Sequence, residues 1–422
     1  MKQVFFASSH ALYPIFIKGW ESDIMEDLTY LLDLALILLG TKAFGLLTKR
    51  FQMPQVVGAL VAGLLLGPAC LGILHETDFI TECAKIGVIV LMFSAGLETD
   101  IQGLKKCGAA AFVIALLGVF VPLIFGYGIA YIFNGKMIPS DATSSLFFQN
   151  IFIGVILTAT SVSITVETLK ELGKLNCRAG NAIMGAAIID DILGIIALTV
   201  ITSIGDSNSD ASVSIVMLKI LGFFVLSGVV GYIFYRVFKL WTERADKDLR
   251  RFVIVAFVFC LLMSYVAEVY FGVADITGAY LAGLVISQTK RKEYIEHRFG
   301  TLSYIMLSPI FFASIGIKVV LPKMTMQIIL FTLLIVFVAV IAKIIGCGIG
   351  AKLFHYSKDE CLQVGAGMVC RGEVALVVMD KGGKALMPSN LQGPIVIMVV
   401  ATTIIAPILL KIVFHEKQQT EN

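Results

Sequence analysis

Apolar stretches long enough to cross a lipid bilayer follow one another along almost the whole chain, separated by short charged segments. A membrane-spanning helix needs about 20 apolar residues, which is several times the length of an ordinary β-strand. Only 15% of the 422 residues are charged and 58% are hydrophobic, whereas a soluble domain has about a quarter charged residues. The sequence therefore predicts an all-α polytopic membrane protein.

Hydropathy divides the chain into about 13 transmembrane helices within one membrane domain at residues 28–414. Residues 1–27 are predicted to form an N-terminal extracytoplasmic leader, and residues 415–422 a cytoplasmic tail. The predicted spans are 28–48, 54–74, 80–98, 107–133, 147–170, 179–204, 213–238, 252–271, 273–288, 301–321, 325–353, 361–381 and 391–414.

Lysine and arginine alternate between the two sides of the membrane that this topology defines. Basic clusters such as Lys49–Arg50, Lys105–Lys106 and Arg250–Arg251 fall on one side, and few basic residues fall on the other. The positive-inside rule places the basic side in the cytoplasm. We therefore expect the N-terminus outside and the C-terminus inside. The expected location is the inner membrane of a bacterium.

Two short motifs occur twice in the chain at the same offset of 220 residues. GALVAGL at Gly58 recurs as GAYLAGL at Gly278. SAGL at Ser94 recurs as SIGI at Ser314. A chance likeness between helices rich in Gly, Ala and Leu is the alternative, but it does not explain the shared offset. The copies lie seven spans apart and have opposite orientations, which is typical of secondary transporters that bind substrate on broken helices near the midplane.

Two of the predicted spans carry residues that favour an interruption of the helix. Span 147–170 contains the hydroxyl-rich run TATSVSIT at residues 158–165, and such side chains can bond backbone groups that local unwinding frees. Span 361–381 contains three glycines beside Arg371 and Glu373, which can neutralise each other or the ends of the half-helices. Ordinary hydrogen bonding between helices is the alternative for the hydroxyl run alone.

Two adjacent aspartates, Asp190 and Asp191, lie in the middle of the apolar span 179–204. A carboxylate at membrane depth costs several kcal/mol unless it is paired or hydrated. Neighbouring residues of a helix point about 100° apart, so one aspartate can face an aqueous cavity while the other faces a neighbouring helix. Lys343, deep within span 325–353, is the best candidate for a salt bridge, because a lysine that reaches the interface would lie nearer a helix end.

These residues form a candidate site for a hard monovalent cation. Asp191 would supply the carboxylate, and Thr160, Ser161 and freed backbone carbonyls would supply neutral oxygens. Protons compete for the same carboxylate, and this competition alone gives exchange if the empty, unprotonated carrier cannot reorient. If cation binding breaks an Asp190–Lys343 pair, the lysine can lose its proton. More than one proton would then move per cation, and exchange would be electrogenic.

Only one of the two repeats carries these carboxylates. When the two broken spans are aligned, Ser161 falls opposite Gly372. The same alignment places the aspartate pair opposite Ala401 and Thr402. The two copies therefore differ at the position where the cation is expected to bind.

Seven segments of the sequence together resemble the monovalent cation:proton antiporter-2 family, in particular its sodium/proton antiporter branch of the NapA type. They are PQVVGALVAGLLLGP, GVIVLMFSAGLETD, TATS, AIIDDILG, FFASIG, the apolar run around Lys343, and MVCRGEVALV. The resemblance extends from about residue 28 to residue 414. It implies the antiporter fold of the NhaA and NapA kind, with two inverted repeats and crossed, broken helices.

The resemblance also implies how the parts are used in a homodimer. The parts would be a dimer scaffold at residues 28–98 and 252–321, a core that moves like an elevator at residues 107–204 and 325–414, and a linker helix at residues 213–238. In related antiporters the second aspartate binds the ion and the first pairs with the lysine. Carried over, Asp191 holds the transported ion transiently and Asp190 forms the salt bridge.

Three other functions are less well supported. A sodium-coupled symporter of an organic anion can use a similar architecture, but the sequence offers no recognisable pocket for an organic substrate. An intramembrane aspartyl protease needs two aspartates from separate helices that share a proton, and adjacent residues do not readily meet this demand. A channel would need neither the inverted repeat nor the ionisable pair.

We therefore expect a secondary active transporter that exchanges Na⁺ or Li⁺ for H⁺, with K⁺ left open, in pH homeostasis or salt tolerance. It is expected not to be an enzyme, to need no cofactor and to have no nucleic-acid partner. Its expected partners are the ions, membrane lipids and a second copy of the chain.

Overall fold

The structure, a computed structural model, describes residues 22–50, 53–99, 101–205, 213–244, 249–318 and 325–414. In these residues the chain forms helices and one isolated β-bridge. The α-helices are α1 (Ser22–Arg50), α2 (Gln55–Leu66), α3 (Asp78–Glu98), α4 (Ile101–Lys106), α5 (Gly108–Phe133), α6 (Leu146–Thr158), α7 (Val162–Glu171), α8 (Arg178–Gly205), α9 (Val213–Arg244), α10 (Arg250–Tyr265), α11 (Asp275–Ile286), α12 (Lys292–Leu302), α13 (Ser308–Ile317), α14 (Met326–Leu353), α15 (Lys358–Gly367), α16 (Glu373–Leu386) and α17 (Ser389–Val413). A π-helical turn at Val266–Phe271 continues α10, and another at Ser303–Leu307 joins α12 to α13.

Ten helical segments of the described residues are long and apolar enough to cross a membrane. Two further helices, α2 and α11, are apolar but shorter, and the pair α15 and α16 is interrupted. The predicted all-α membrane fold is confirmed, whereas the count of 13 spans stays a prediction. Residues 22–27 of the predicted leader begin α1, and residues 1–21 and the tail at 415–422 lie outside the described residues.

The structure differs from the predicted spans in two places. α2 ends at Leu66, well before the predicted end of its span, and Gly67 is extended. The reason is Pro68, because a proline disfavours a helical conformation of the residue before it. The tenth span begins at Lys292, earlier than predicted, since α12 runs through the π-helical turn into α13.

Four glycines of the repeated motifs meet in two pairs, Gly63 with Gly316 and Gly96 with Gly283. In each pair a Cβ built on either glycine would lie 2.1–2.3 Å from a backbone atom of the facing helix. The repeat offset relates Gly63 to Gly283 and also relates Gly96 to Gly316, so it relates one pair to the other. The two pairs are therefore equivalent contacts, as an inverted repeat requires.

The helices pack into two bundles, each of which contains parts of both repeats. The first bundle contains α1–α3 and α10–α13, and the second contains α5–α8 and α14–α17. In the second bundle α5 and α14 lie backbone against backbone, and a Cβ on Gly346 would lie 2.5 Å from the Leu117 carbonyl oxygen. α9 contacts α8 and α11, and thus both bundles. That the first bundle is a dimer scaffold and the second a moving core stays a prediction.

Basic residues gather at one end of the bundles. At one end, where α7 finishes and α8 begins, the structure brings together basic residues that include Lys49, Lys170 and Arg178. At the opposite end, the loop after α5 is tied to the start of α17, where the Ser389 N–H donates to Asp141 Oδ1 at 2.9 Å. We call the first of these the basic end. The positive-inside rule predicts that it faces the cytoplasm.

Candidate ion-binding site

Two interrupted helices cross in the middle of the second bundle. Residues 159–161 separate α6 from α7, and residues 368–372 separate α15 from α16. The Ser161 N–H donates to the Cys370 carbonyl oxygen at 2.8 Å, so the two interruptions touch each other. Both predicted interruptions are therefore present, and each supplies a partner for backbone groups that the other frees.

The crossing depends on a residue without a side chain at position 372. A Cβ on Gly372 would lie 2.6 Å from the Ser161 hydroxyl oxygen and 2.8 Å from the Ser161 Cβ. Such distances are far below ordinary van der Waals contact, so any larger residue at position 372 would push the two interrupted segments apart. The repeat alignment places these two residues opposite each other, and the structure places them in contact at the crossing point.

A fully buried ion pair lies beside the crossing. Lys343 Nζ of α14 lies 2.9 Å from Asp190 Oδ1 of α8, and the two side chains are 0% and 1% exposed. The second carboxylate oxygen, Oδ2, accepts a hydrogen bond from the Thr160 hydroxyl at 2.7 Å. Gly118 of α5 lies next to the pair, and a Cβ there would be 3.7 Å from both charged groups. The predicted Asp190–Lys343 contact is thus observed, with both carboxylate oxygens bonded.

The negative end of α6 is neutralised by Arg371, which is completely buried. Its Nε and Nη2 atoms donate to the Leu157 carbonyl oxygen at 3.2 and 2.8 Å, and Nη1 donates to the Val369 carbonyl oxygen at 2.6 Å. The last carbonyls of a helix lack helical partners and carry partial negative charge. The Thr403 hydroxyl of α17 in turn donates to the Arg371 carbonyl oxygen. Arg371 therefore fixes the end of α6 next to the predicted ligands.

The family model described as sodium/hydrogen exchanger, transmembrane, matches residues 34–416. The chain belongs to the sodium/hydrogen exchanger family. A Na(+)/H(+) antiporter of Enterococcus hirae is 37% identical over 386 residues, which are 90% of this chain and 96% of that protein. The Na(+)/H(+)-K(+) antiporter GerN of Bacillus cereus is 35% identical over 396 residues, which are 93% of this chain and 98% of that protein.

The exchanger fold is also found in a solved structure. The sodium proton antiporter MjNhaP1 from Methanocaldococcus jannaschii matches with a TM-score of 0.63 and 19% sequence identity, over 92% of this chain and 96% of that chain. At this identity the likeness shows the fold alone. Membership of the family confirms the prediction that the protein is an antiporter. The protein is therefore a transporter and not an enzyme. The match does not establish the narrower antiporter-2 label.

In this exchanger Asp191 occupies a different environment from its neighbour. Asp190 is buried against Lys343, whereas Asp191 as a whole residue is only half-buried, although its Oδ1 atom is fully buried. Adjacent residues of a helix point about 100° apart, so the Asp191 carboxylate points to a different side of α8. The Thr160 hydroxyl donates a hydrogen bond to Asp190 Oδ2, which leaves the lone pairs of its oxygen for a cation.

The structure places the other predicted site residues as follows. Ser161 lies at the crossing, with its hydroxyl oxygen 3.3 Å from that of Ser163. Glu373 begins α16, but its side chain lies outside what the structure describes. Gly118 and Thr403 were not predicted. Both lie in apolar runs of ordinary composition, so the sequence gives no signal that they contact the site.

Proposed function

We propose that this exchanger is a secondary active transporter that binds a monovalent cation or protons at Asp191 and carries them by alternating access. The observation that carries the proposal is the buried Asp190–Lys343 pair, which lies directly beside crossed helix interruptions and next to the half-buried Asp191. A carboxylate buried this deeply in an apolar bundle is costly, and its presence indicates a functional site. Na⁺ and Li⁺ are the proposed cations, since hard oxygen ligands suit them.

The two aspartates have different roles in this proposal. Both Asp190 oxygens already accept hydrogen bonds, from Lys343 and Thr160. A cation that bound there would have to displace a buried lysine. Asp191 is more accessible and lies within the same turn of α8, so it is the better first ligand. Thr160, Ser161 and nearby carbonyls would complete the oxygen shell.

The half-helices around the crossing shape the electrostatic field of the site. α7 and α16 both begin at the interruptions, so their positive ends lie near the aspartates. Arg371 neutralises the negative end of α6. In the proposed site, Asp190 therefore stays ionised beside Lys343, while a cation or a proton neutralises Asp191.

Proton coupling is proposed to involve the lysine as well as the carboxylate. When a cation binds Asp191, the Asp190–Lys343 pair breaks and Lys343 gives up its proton. More than one proton then moves per cation, and the exchange is electrogenic. The printed names of the relatives, a Na(+)/H(+) antiporter and a Na(+)/H(+)-K(+) antiporter, support Na⁺ and leave K⁺ as a further substrate.

We also propose how the exchanger is arranged in the membrane. The first bundle would form the scaffold of a homodimer, and the second bundle would move against it like an elevator, with α9 as the linker. The basic end would face the cytoplasm of a bacterium, so that the C-terminus lies inside. The backbone-tight packing of α5 on α14 supports movement of the second bundle as one body.

The test is exchange by the purified protein in proteoliposomes. A proton gradient is imposed, and Na⁺, Li⁺ or K⁺ is then added in the absence of any organic solute. We expect the wild type and Asp359→Asn to dissipate the gradient, because Asp359 is an exposed carboxylate at the start of α15. Asp191→Asn should abolish the response. Exchange retained by Asp191→Asn contradicts the site, and a requirement for an organic anion would instead favour a symporter.

A further inference from the structure

The end of α7 joins the second bundle to the first at the basic end. Lys170 Nζ lies 2.9 Å from Glu98 Oε1, at the last residue of α3. The next residue, Glu171, accepts a hydrogen bond from the Gln55 N–H at 2.8 Å, at the first residue of α2. Two adjacent side chains of one helix thus reach two different helices of the other bundle.

Both contacts have the charge that the facing helix end favours. The first N–H groups of α2 carry partial positive charge, and Pro54 before them gives no side-chain cap. The Glu171 carboxylate supplies this cap from the other bundle. The last carbonyls of α3 carry partial negative charge, and the Lys170 ammonium lies at this helix end, against the Glu98 carboxylate. Each contact is therefore stabilised by a helix end as well as by its direct partner.

A third contact lies just after α7, in the turn that leads to α8. The Asn176 side-chain amide donates to the Glu98 carbonyl oxygen at 3.1 Å. α7 is itself bound firmly within the second bundle, since the Thr165 hydroxyl donates to the Gly367 carbonyl oxygen at 2.8 Å. The second bundle cannot slide past the first without breaking all three contacts.

A cavity opens beside these contacts, between the two bundles. Its volume is about 300 Å³, and Gln55, Glu167 and Glu171 are among the residues that line it. Glu171 thus both borders the cavity and holds the end of α2. Release of Glu171 would free α7 from the start of α2 and widen this cavity between the bundles.

We propose that Lys170, Glu171 and Asn176 form a latch that holds the exchanger closed to ions at its basic end and so sets the balance between its two access states. The proposal rests on the proposed alternating access of the site at Asp191. It assigns to Lys170 and Glu171 a positioning role, in which they contact the first bundle and not the transported ion.

The latch has a consequence that a purely structural contact lacks. A ligand's apparent affinity falls in proportion to the fraction of protein in the competent state. Weakening the latch raises the fraction that is open at the basic end. The KM for the cation should then fall at the basic face and rise at the opposite face. One helix-end contact changes such an equilibrium by roughly twofold to fivefold, so we expect the KM at the basic face to fall about threefold.

The experiment measures the KM for Na⁺ from both faces, in right-side-out and everted membrane vesicles, for Glu171→Gln and Lys170→Gln. The matched control is Glu76→Gln, which breaks the 3.3 Å Glu76–Lys318 pair. Both residues of that pair belong to the first bundle, so its loss should leave the ratio of the two KM values unchanged. If Glu171→Gln is not recovered from the membrane, Lys170→Gln carries the same test, since it breaks a different contact.

Opposite shifts of the two KM values in the latch variants, with an unchanged ratio in the control, support the proposal. Equal shifts at both faces, or a fall in maximal rate alone, overturn the latch while the proposed function stands. A wild type that shows no cation-dependent proton movement contradicts the proposed function itself, and the latch with it.

Discussion

Replacing Lys343 by methionine tests whether the protein depends on the buried ion pair. The Lys343 and Asp190 side chains are 0% and 1% exposed, and their charged atoms lie 2.9 Å apart. Removal of one partner of such a pair costs about 3–5 kcal/mol, because the other charge is left buried. The Thr160 hydroxyl still donates to Asp190 at 2.7 Å in the variant and offsets part of this penalty. We therefore expect Lys343→Met to lose about 3 kcal/mol of stability.

The assay is thermal unfolding of the purified protein in detergent, with Lys85→Met as the matched control. Lys85 pairs with Glu82 at 2.8 Å, but the side chains are 59% and 66% exposed, and such a pair contributes only about 0–1 kcal/mol. Adding Asp190→Asn to Lys343→Met removes the stranded charge and should restore part of the lost stability. The reasoning is refuted if Lys343→Met melts at the temperature of Lys85→Met, or if the two substitutions at the pair lower stability additively.

Lys343→Gln should make exchange independent of the membrane potential, because no second proton is carried; an unchanged charge balance in proteoliposomes at clamped potentials would contradict the lysine step. Gly372→Ala should cost about 1–3 kcal/mol of stability and slow transport, since its Cβ would lie 2.6 Å from the Ser161 hydroxyl oxygen across the crossing. The control is Gly194→Ala, because a Cβ at Gly194 meets nothing within 4 Å. Equal melting temperatures of the two variants would exclude this clash. Two hydrogen bonds from Ser389 lower the pKa of Asp141, so the stability that this carboxylate contributes is complete above the ordinary aspartate pKa and is lost as pH falls through the lowered value. Asp141→Asn should remove that part of the pH dependence of melting, and an unchanged acid profile would argue against it.

The parts of the fold that follow from one-dimensional patterns were predictable. Apolar length predicts the membrane helices, and the shared offset of the glycine motifs predicts the inverted repeat, whose glycines Gly63 and Gly316 meet in the structure. A salt bridge between Lys343 and one of the two aspartates was also predictable, because Lys343 is the lysine deepest in an apolar span and a charge there requires a partner. The choice of Asp190 followed from the family resemblance.

Contacts that depend on how helices cross were not predictable from spacing. Thr160 was expected to serve only as a cation ligand, but it also donates to Asp190. The sequence left open whether Arg371 neutralises Glu373 or a helix end, and the structure shows the second: Arg371 binds the Leu157 carbonyl at the end of α6. These contacts join residues that lie far apart in the sequence. They are set by the rotation of each helix and by the point at which the interrupted helices cross.

The latch was missed for a related reason. Lys170 is a plausible interfacial lysine when α7 is considered alone, and its sequence neighbours carry no sign of Glu98. Its role emerges only when the end of α7 is placed between the start of α2 and the end of α3. The ends of α2 and α3 carry partial charges on their backbone groups. A pattern of side chains in the sequence does not reveal these charges.

Proton release on cation binding tests the central claim most directly. Na⁺ is added to the purified protein in detergent, and binding heats are measured in two buffers with different ionisation enthalpies, which gives the number of protons released per Na⁺. We expect the wild type and Asp359→Asn to bind Na⁺ with release of protons, and Asp191→Asn to show neither binding nor release. Unchanged proton release from Asp191→Asn would contradict competition between cation and proton at this carboxylate.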